Sequence, residues 1–457
     1  MYALLRAVAG IALRWYYRDI QVEGLERIPR HRPLLLTVNH PNALVDALLV
    51  GWIMPRRVLI TAKSTIFANP IADVLLRFLG VLPLRRVSDE LQAEGKRNPT
   101  RNEGTFAAIR QALSRGGTVL IFPEGKTHDE PSLAPLKTGA ARMALEAHDT
   151  GDVAALAVVP IGLTFEKKDT PRSRVLVQIG EPILMDSWQE PITGSRVEAL
   201  TAEIETRLRA VTLNYPTTDD ATRAVRLASL VAALFDDVPE IGADRGLGTE
   251  TAIARRIDEL GERLPFADAT LRAQADQLVR RLDAVQRVAG KHGVLLEDVG
   301  IETRSRRAVR FIAREGWLLL VGGPIAIWGR LNHWLPFRAT RFVAGRSVES
   351  AADPAMRTLV AGTAFVLMTY LAQTAVVAAI WGPLVSIAYL ASLPIAADIN
   401  FYLSDRLRRA VYRARAFLRF RRDPALHRRL LEELSELRAE VLAFDRALGE
   451  RMEAGTT

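Results

Sequence analysis

The sequence predicts an α/β domain with a mostly parallel sheet and flanking helices, followed by a helical region and a C-terminal membrane hairpin. Three observations predict it. Between Leu34 and about Pro182, short apolar runs of strand length alternate with stretches of helical periodicity, the pattern of a parallel sheet covered by helices. Beyond Pro191 the alternation gives way to heptad-like spacing. Between Thr358 and Leu403 lie two apolar runs, each long enough to span a bilayer.

Composition sets the limits. With 457 residues and 49% hydrophobic side chains, the chain can bury a core and still build a second region, so two or three domains are expected. It contains no cysteine, which excludes a thiol nucleophile, a thiolate metal site and a disulfide framework. The net charge is +9 and Arg far outnumbers Lys. Those basic residues flank long apolar runs, which points to anionic lipid head groups and not to nucleic acid. No RNA-binding or zinc-finger signature is present.

The chain opens with Leu4, Val8, Ile11 and Trp15 at helical spacing and Arg6, Arg14 and Arg18 between them. This reads as an amphipathic helix over residues 1–19, lying in a membrane interface or packed on the domain that follows. Arginines interrupt its apolar run, so a signal peptide is not expected. Strand candidates follow: Ile20 to Leu25, Leu34 to Val38, Val58 to Thr61, Val81 to Leu84, Thr118 to Phe122, Val158 to Ile161 and Val175 to Ile179. Ligands of such sheets sit beyond the carboxyl ends of the strands, so the stretches that end strands carry the chemistry.

The first of these is NHPNALVD, Asn39 to Asp46. Pro41 keeps His40 extended, Asn42 is placed to cap a helix starting at Ala43, and Asp46 falls in its first turn. The carboxylate then folds back on the imidazole, fixes its tautomer and leaves the other ring nitrogen to act as a general base. The second is GVLPLRR, where Arg85 and Arg86 are suited to a bidentate grip on phosphate. The third is IFPEGKTH, in which Gly125 lets the backbone approach a ligand. The fourth, VVPIGL, is an apolar wall. The histidines are scattered, and His128 lacks partners at ligand spacing, so no metal site is expected.

In this order and spacing, the four stretches resemble the blocks of the glycerolipid acyltransferases, the lysophosphatidate and glycerol-3-phosphate acyltransferases, over roughly residues 20 to 185. Five residues separate His40 from Asp46 where the family has four, and the third block reads Glu124-Gly125-Lys126-Thr127 where Glu-Gly-Thr-Arg is usual. Both departures are similar to the fungal-type dual glycerol-3-phosphate and dihydroxyacetone-phosphate acyltransferases and their bacterial relatives. The resemblance implies that His40, oriented by Asp46, deprotonates an acceptor hydroxyl that attacks the thioester of acyl-CoA or acyl carrier protein. Arg86 and Lys126 would hold the acceptor phosphate, with Lys137 a further candidate. Glu124, Gly125 and Thr127 would shape the acceptor site, and Pro160 would line the acyl side. No cofactor is implied beyond the acyl donor as co-substrate. Glycerol 3-phosphate is the first expected acceptor, dihydroxyacetone phosphate a second and lysophosphatidate the alternative. Two other classes compete: a lipid hydrolase or thioesterase, which lacks a G-x-S-x-G elbow here, and a silent membrane scaffold, which has no use for the His–Asp pair.

The divisions expected are the catalytic domain at 20–215, a helical or coiled-coil region at 216–310, a re-entrant or interfacial segment at 311–345, a transmembrane hairpin at 355–403 and a basic C-terminal helix at 404–457. Ile253, Ile257, Leu260 and Leu264, then Leu271, Ala275, Leu278, Leu282 and Val285, and finally Leu430, Leu434, Leu437, Val441, Phe444 and Leu448 form the heptad-like stretches. They are expected to pack within the chain, with a homodimer interface as the alternative. Trp317 to Trp328, flanked by Arg314 and Arg330, is short for a span. Trp381-Gly382-Pro383 breaks the hairpin, and Arg357 with Arg406, Arg408, Arg409, Arg413 and Arg415 brackets it. Both ends, and with them the catalytic domain, should therefore face the cytoplasm of an integral membrane protein.

Overall fold

The computed structural model describes residues 2–63, 81–84, 103–151, 153, 155–235, 246–263, 269–301, 305–345 and 353–454. They divide into two compact units, Met1–Pro216 with Phe342–Ala361, and Thr217–Arg341 with Gly362–Thr457.

The first unit is built on an eight-stranded sheet. Its strands are β1 (Asp19–Glu23), β2 (Leu34–Val38), β3 (Val58–Lys63), β4 (Val81–Leu84), β5 (Thr118–Ile121), β6 (Ala157–Phe165), β7 (Arg174–Ile179) and β8 (Ile183–Leu184). The order is β1-β7-β6-β2-β5-β3-β4, with β8 on β6. Five strands, β6, β2, β5, β3 and β4, run parallel, and the two antiparallel pairings are β6 with β7 and β6 with β8. The expected parallel sheet is thus mixed at one side. The two-residue β8 escaped the sequence because a run that short has no periodicity of its own.

Strand β2 is buried along its whole length, which is why its five residues are apolar except Thr37 and show no alternation. Its side chains serve two cores. Leu35 joins Ile109, Leu113, Met143, Leu200 and Ile204 on one face, where α3 (Glu103–Ser114), α4 (Gly139–Asp149) and α5 (Arg196–Arg209) contribute. Leu34, Leu36 and Val38 join Val50 and Met54 on the other face, beside α2 (Leu44–Ile53). The N-terminal helix α1 (Tyr2–Tyr16) packs on this domain through Gly10, Leu13 and Tyr16. Leu13, Tyr16 and Tyr17 share a cluster with Val45 and Leu49 of α2, and the Arg6 guanidinium donates to the Trp52 carbonyl at 2.8 and 3.0 Å. The stripe expected to meet the membrane is a different one: Leu4 is exposed, and Val8, Ile11 and Trp15 are half-buried.

Beyond Pro216 the described residues form the helices α6 (Thr218–Leu234), α7 (Leu247–Arg263), α8 (Ala269–Lys291), α9 (Ser305–Ala344), α10 (Asp353–Trp381), α11 (Pro383–Arg422) and α12 (Pro424–Ala454); all lie in the second unit except the end of α9 and the start of α10. Leu282 and Val285 of α8 meet Leu430, Leu434 and Leu437 of α12 in one core, which also takes Leu230, Ala416 and Phe420. These heptad positions of α8 and α12 therefore pack within the chain. An Arg281–Glu436 ion pair at 2.9 Å crosses the same seam. The last helix starts on a side-chain cap followed by proline, with Leu426 N–H donating to Asp423 Oδ1 at 3.0 Å and Pro424 opening the first turn.

Among the described residues, three helices are long and apolar enough to cross a membrane, Val309–Ala344, Ala355–Trp381 and Pro383–Arg422, by length and composition. Two expectations change here. The short segment Trp317 to Trp328 belongs to a continuous 40-residue helix that contains Pro324 and Pro336. Its flanking charges do not end it because they are paired along the helices: Glu315 holds Arg314 and Arg406, and Arg330 donates to Ser404 Oγ at 3.3 Å. The basic segment from residue 404 is likewise not one helix, since its first part continues α11 to Arg422 and only α12 is separate. Close backbone approach ties these helices together. A Cβ on Gly329 would stand 2.3 Å from the Ala396 carbonyl oxygen, the small-residue contact typical of helices packed in lipid.

Candidate active site

Strands β2 and β5 are parallel neighbours, Leu34 to Thr37 lying against Thr118 to Ile121. Their carboxyl ends therefore deliver His40, two residues past β2, beside Phe122 to Glu124, just past β5. His40 Nδ1 donates to Asp46 Oδ2 at 3.0 Å. Its ring stacks on Phe122, with centroids 3.8 Å apart and planes 17° from parallel. Its backbone N–H donates to Glu124 Oε1 at 2.7 Å. Three directions are thus fixed, and no protein partner holds Nε2 among the described residues.

The expected turn forms by a different route. Helix α2 begins at Leu44 and not at Ala43, and Ala43 occupies the N-cap with φ 47°, a backbone conformation that costs a non-glycine residue about 1–3 kcal/mol. No side chain caps this helix. The Asn42 side chain is used elsewhere: its Nδ2 donates to Tyr17 Oη at 3.2 Å and to the Lys168 carbonyl at 3.1 Å. Asp46 instead reaches back, and its Oδ2 accepts from Asn42 N–H at 2.7 Å. With Ala43 at positive φ, the loop brings the carboxylate to the imidazole. Asn39 clasps the end of β6, accepting from Leu163 N–H at 2.7 Å and donating to its carbonyl at 3.1 Å.

Asp46 is fully buried, and burial pushes its carboxyl above the usual range against the lowering effects of His40 and the Asn42 N–H. Its Oδ1 has no hydrogen-bond partner among the described residues. Lys168 approaches the same loop, with Nζ donating to the Pro41 carbonyl at 3.3 Å and paired with Asp129. Burial lowers the Lys168 ammonium, opposed by the charges of Asp46 and Asp169.

Glu124 is built into the scaffold. Oε1 takes the His40 N–H, while Oε2 takes the Ala134 N–H at 2.9 Å and the Nε2–H of His128. The Nδ1 of His128 accepts from Glu130 N–H at 3.2 Å, which places that ring's proton on Nε2. Both carboxylate oxygens are therefore spent on protein donors. Glu124→Gln should lower stability by about 1–3 kcal/mol, because its amide must face a buried N–H. It should also reduce kcat with little change in acceptor KM. Denaturant unfolding and steady-state kinetics check this; a raised acceptor KM at unchanged stability would return Glu124 to substrate binding.

Among the other expected residues, Gly125 adopts φ 72° and donates its N–H to the Phe122 carbonyl at 3.0 Å, a turn that a glycine makes without strain. Lys137 stands beside it, its Cγ 3.4 Å from where a Cβ on Gly125 would be. Lys126 and Lys137 are exposed and Thr127 is half-buried. Pro160 lies inside β6 opposite Thr37, buried and packed beside Gly180. Arg85 and Arg86 lie outside the described residues. The sequence reading missed Asn39, Phe122, His128 and Lys168 as site residues. Phe122 and His128 flank the Glu-Gly pair and were readable from that adjacency; Lys168 lies in an ordinary Lys-Lys pair far along the chain and gave no signal.

Residues 19–164 match the family model Acyltransferase. This segment is an acyltransferase-family domain. Glycerol-3-phosphate O-acyltransferase 2 of Saccharomyces cerevisiae is 40% identical over 122 residues, covering 26% of this chain and 16% of that protein. Glycerol-3-phosphate O-acyltransferase 1 of the same yeast is 35% identical over 114 residues, covering 24% and 15%. The chloroplastic 1-acyl-sn-glycerol-3-phosphate acyltransferase LPAT1 of Arabidopsis thaliana is 27% identical over 202 residues, covering 44% and 51%. The chain thus spans from about a sixth to about half of these relatives' lengths.

Proposed function

We propose that the chain is a membrane-bound O-acyltransferase that moves a fatty acyl group from acyl-CoA or acyl carrier protein to glycerol 3-phosphate. The observation that carries this reading is the buried His40–Asp46 pair at the carboxyl ends of β2 and β5, with no partner for Nε2 among the described residues. Nε2 takes the proton of the acceptor hydroxyl as its oxygen attacks the thioester carbonyl. The tetrahedral intermediate then collapses, the C–S bond breaks, and the imidazolium returns its proton to the leaving thiolate. Asp46 holds the tautomer and stabilises the transient imidazolium. No covalent acyl-enzyme is needed. Arg86, Lys126 and Lys137 are the cations proposed for the acceptor phosphate, and Pro160 belongs to the apolar side.

The acceptor assignment is supported by the yeast relatives, both named for glycerol 3-phosphate and both more similar, over a shorter stretch, than the relative named for 1-acylglycerol 3-phosphate. The polar third block, Glu124 to Asp129, suits a small acceptor whose free hydroxyls need partners. Dihydroxyacetone phosphate is a second candidate. The test is kcat/KM for glycerol 3-phosphate, dihydroxyacetone phosphate and lysophosphatidate with one acyl-CoA and one acyl carrier protein donor. A preference of about tenfold or more for glycerol 3-phosphate is expected; a preference for lysophosphatidate of that size would reverse the acceptor and leave the dyad chemistry standing.

Packing inside the helical unit supports a membrane topology. Because α8 and α12 share one core, both ends of the stretch between them lie on one side of the membrane, and the chain crosses it there an even number of times. Of the three apolar helices, the reading keeps α10 and α11 as the hairpin, with α9 packed alongside it. From the arginines around the hairpin, we take that side as the cytoplasm and place the acyltransferase domain on it. Single cysteines at Ser114, Trp381 and Leu431, introduced into a chain without native cysteine, should label from one side, the opposite side and the first side of sealed vesicles respectively. Opposite sidedness of Ser114 and Leu431 would contradict the even crossing number.

A further inference from the structure

We propose that Lys168 is a positioning residue of the dyad: tethered to the loop that carries His40, its ammonium supplies the counter-charge to buried Asp46, and Asp129 draws part of that charge away. The inference rests on the dyad reading above and goes beyond it. The geometry comes from both ends of the side chain. The Lys168 carbonyl accepts from Asn42 Nδ2 at 3.1 Å, and Nζ donates to the Pro41 carbonyl at 3.3 Å. Pro41 and Asn42 directly follow His40, and the Asn42 N–H holds Asp46 Oδ2 at 2.7 Å. Lys168 is therefore fixed to the one loop whose shape brings imidazole and carboxylate together.

The need for a counter-charge is visible at Asp46. It is fully buried, and its Oδ1 has no hydrogen-bond partner among the described residues. A buried carboxylate in that condition tends to take up a proton, yet the dyad requires it ionised to hold the Nδ1 proton. The charged and titratable groups facing Asp46 are His40, Glu124, which disfavours ionisation, Tyr17 and Lys168. Of these Lys168 is the fixed cation, since His40 must be neutral to act as a base. Lys168 in turn faces Asp129 and Asp169. Asp129 is half exposed while Lys168 is mostly covered, so Asp129 is the partner that can be altered without opening the site.

The signs are fixed whichever member of the coupled pair titrates. Removing the ammonium favours the protonated form of both His40 and Asp46, and removing the Asp129 charge favours the deprotonated form of both. The acid limb of kcat/KM should therefore move up by about one pH unit in Lys168→Met, stay in place in Lys168→Arg, and move down in Asp129→Asn. The same order should appear without substrate, in the 13C carboxyl titration of Asp46 in the full-length chain labelled at aspartate, with Asp46→Asn identifying its resonance. The Asp129→Asn shift should shrink in the Lys168→Met background, because Asp129 acts partly through Lys168. An Asp46 titration unmoved in folded Lys168→Met, or a Lys168→Arg variant indistinguishable from Lys168→Met, overturns the proposal. If Lys168→Met does not fold, Asp129→Asn decides alone, and an unmoved or raised Asp46 titration overturns it. Because the carboxyl titration needs no turnover, its expected shifts in a chain that transfers no acyl group would sink the acyltransferase reading and keep this one.

Discussion

His40→Ala should lower acyl transfer by about 10²–10⁴-fold, the range that a positioned general base contributes, while the domain stays folded. The imidazole is held by three contacts that all serve its orientation: Asp46 Oδ2, the Phe122 ring and, through the backbone, Glu124. The last survives truncation because it belongs to the main chain. Asp46 loses one hydrogen bond but keeps the Asn42 N–H. Both kcat and kcat/KM should fall together, since the base acts in the transition state and not in binding. Residual binding of acceptor and donor, measured by calorimetry or filter assay, should be near wild type.

Asp46→Asn is expected to cost nearly as much activity, about 10²–10⁴-fold, by removing the carboxylate charge and not the base. One oxygen, Oδ2, accepts from both His40 Nδ1–H and Asn42 N–H, so an Asn oxygen in its place keeps both bonds and the tautomer. What is lost is the negative charge that stabilises the imidazolium formed as the base takes its proton. Stability should move the other way. Burial raises the carboxyl's folded pKa above its unfolded value, so the contribution to stability is present below the unfolded pKa and is lost as pH rises through the folded one. At neutral pH the wild type carries that cost and the amide does not. Denaturant unfolding at neutral pH should find Asp46→Asn at least as stable as wild type, with its advantage shrinking toward acid pH. A variant that is both inactive and less stable at neutral pH would make Asp46 a structural residue.

The parts of this molecule readable from sequence are those set by local pattern. Leu34–Val38 has the predicted boundaries because a continuous apolar run between turn residues leaves a buried strand little freedom. The His40–Asp46 contact was readable because Pro41 and a helix start constrain so short a loop. The way the loop closes was not, since a positive φ at Ala43 and an Asn42 side chain turned toward Tyr17 and Lys168 depend on partners far along the chain. Glu124 shows the same divide. Its presence beside Gly125 marked the site, but its saturation by His40, Ala134 and His128 is a tertiary fact. In the helical unit, Arg314 and Arg330 looked like the ends of a short segment because their partners Glu315 and Ser404 are invisible to a window of hydropathy.

The most direct test is product formation by the purified full-length chain in nanodiscs, given one acyl-CoA and glycerol 3-phosphate, with wild type and His40→Ala side by side. The account predicts 1-acylglycerol 3-phosphate and free CoA in equal amounts from wild type, and at least about a hundredfold less of both from His40→Ala. Free fatty acid in place of the acylated acceptor, or wild-type turnover in His40→Ala, would contradict it.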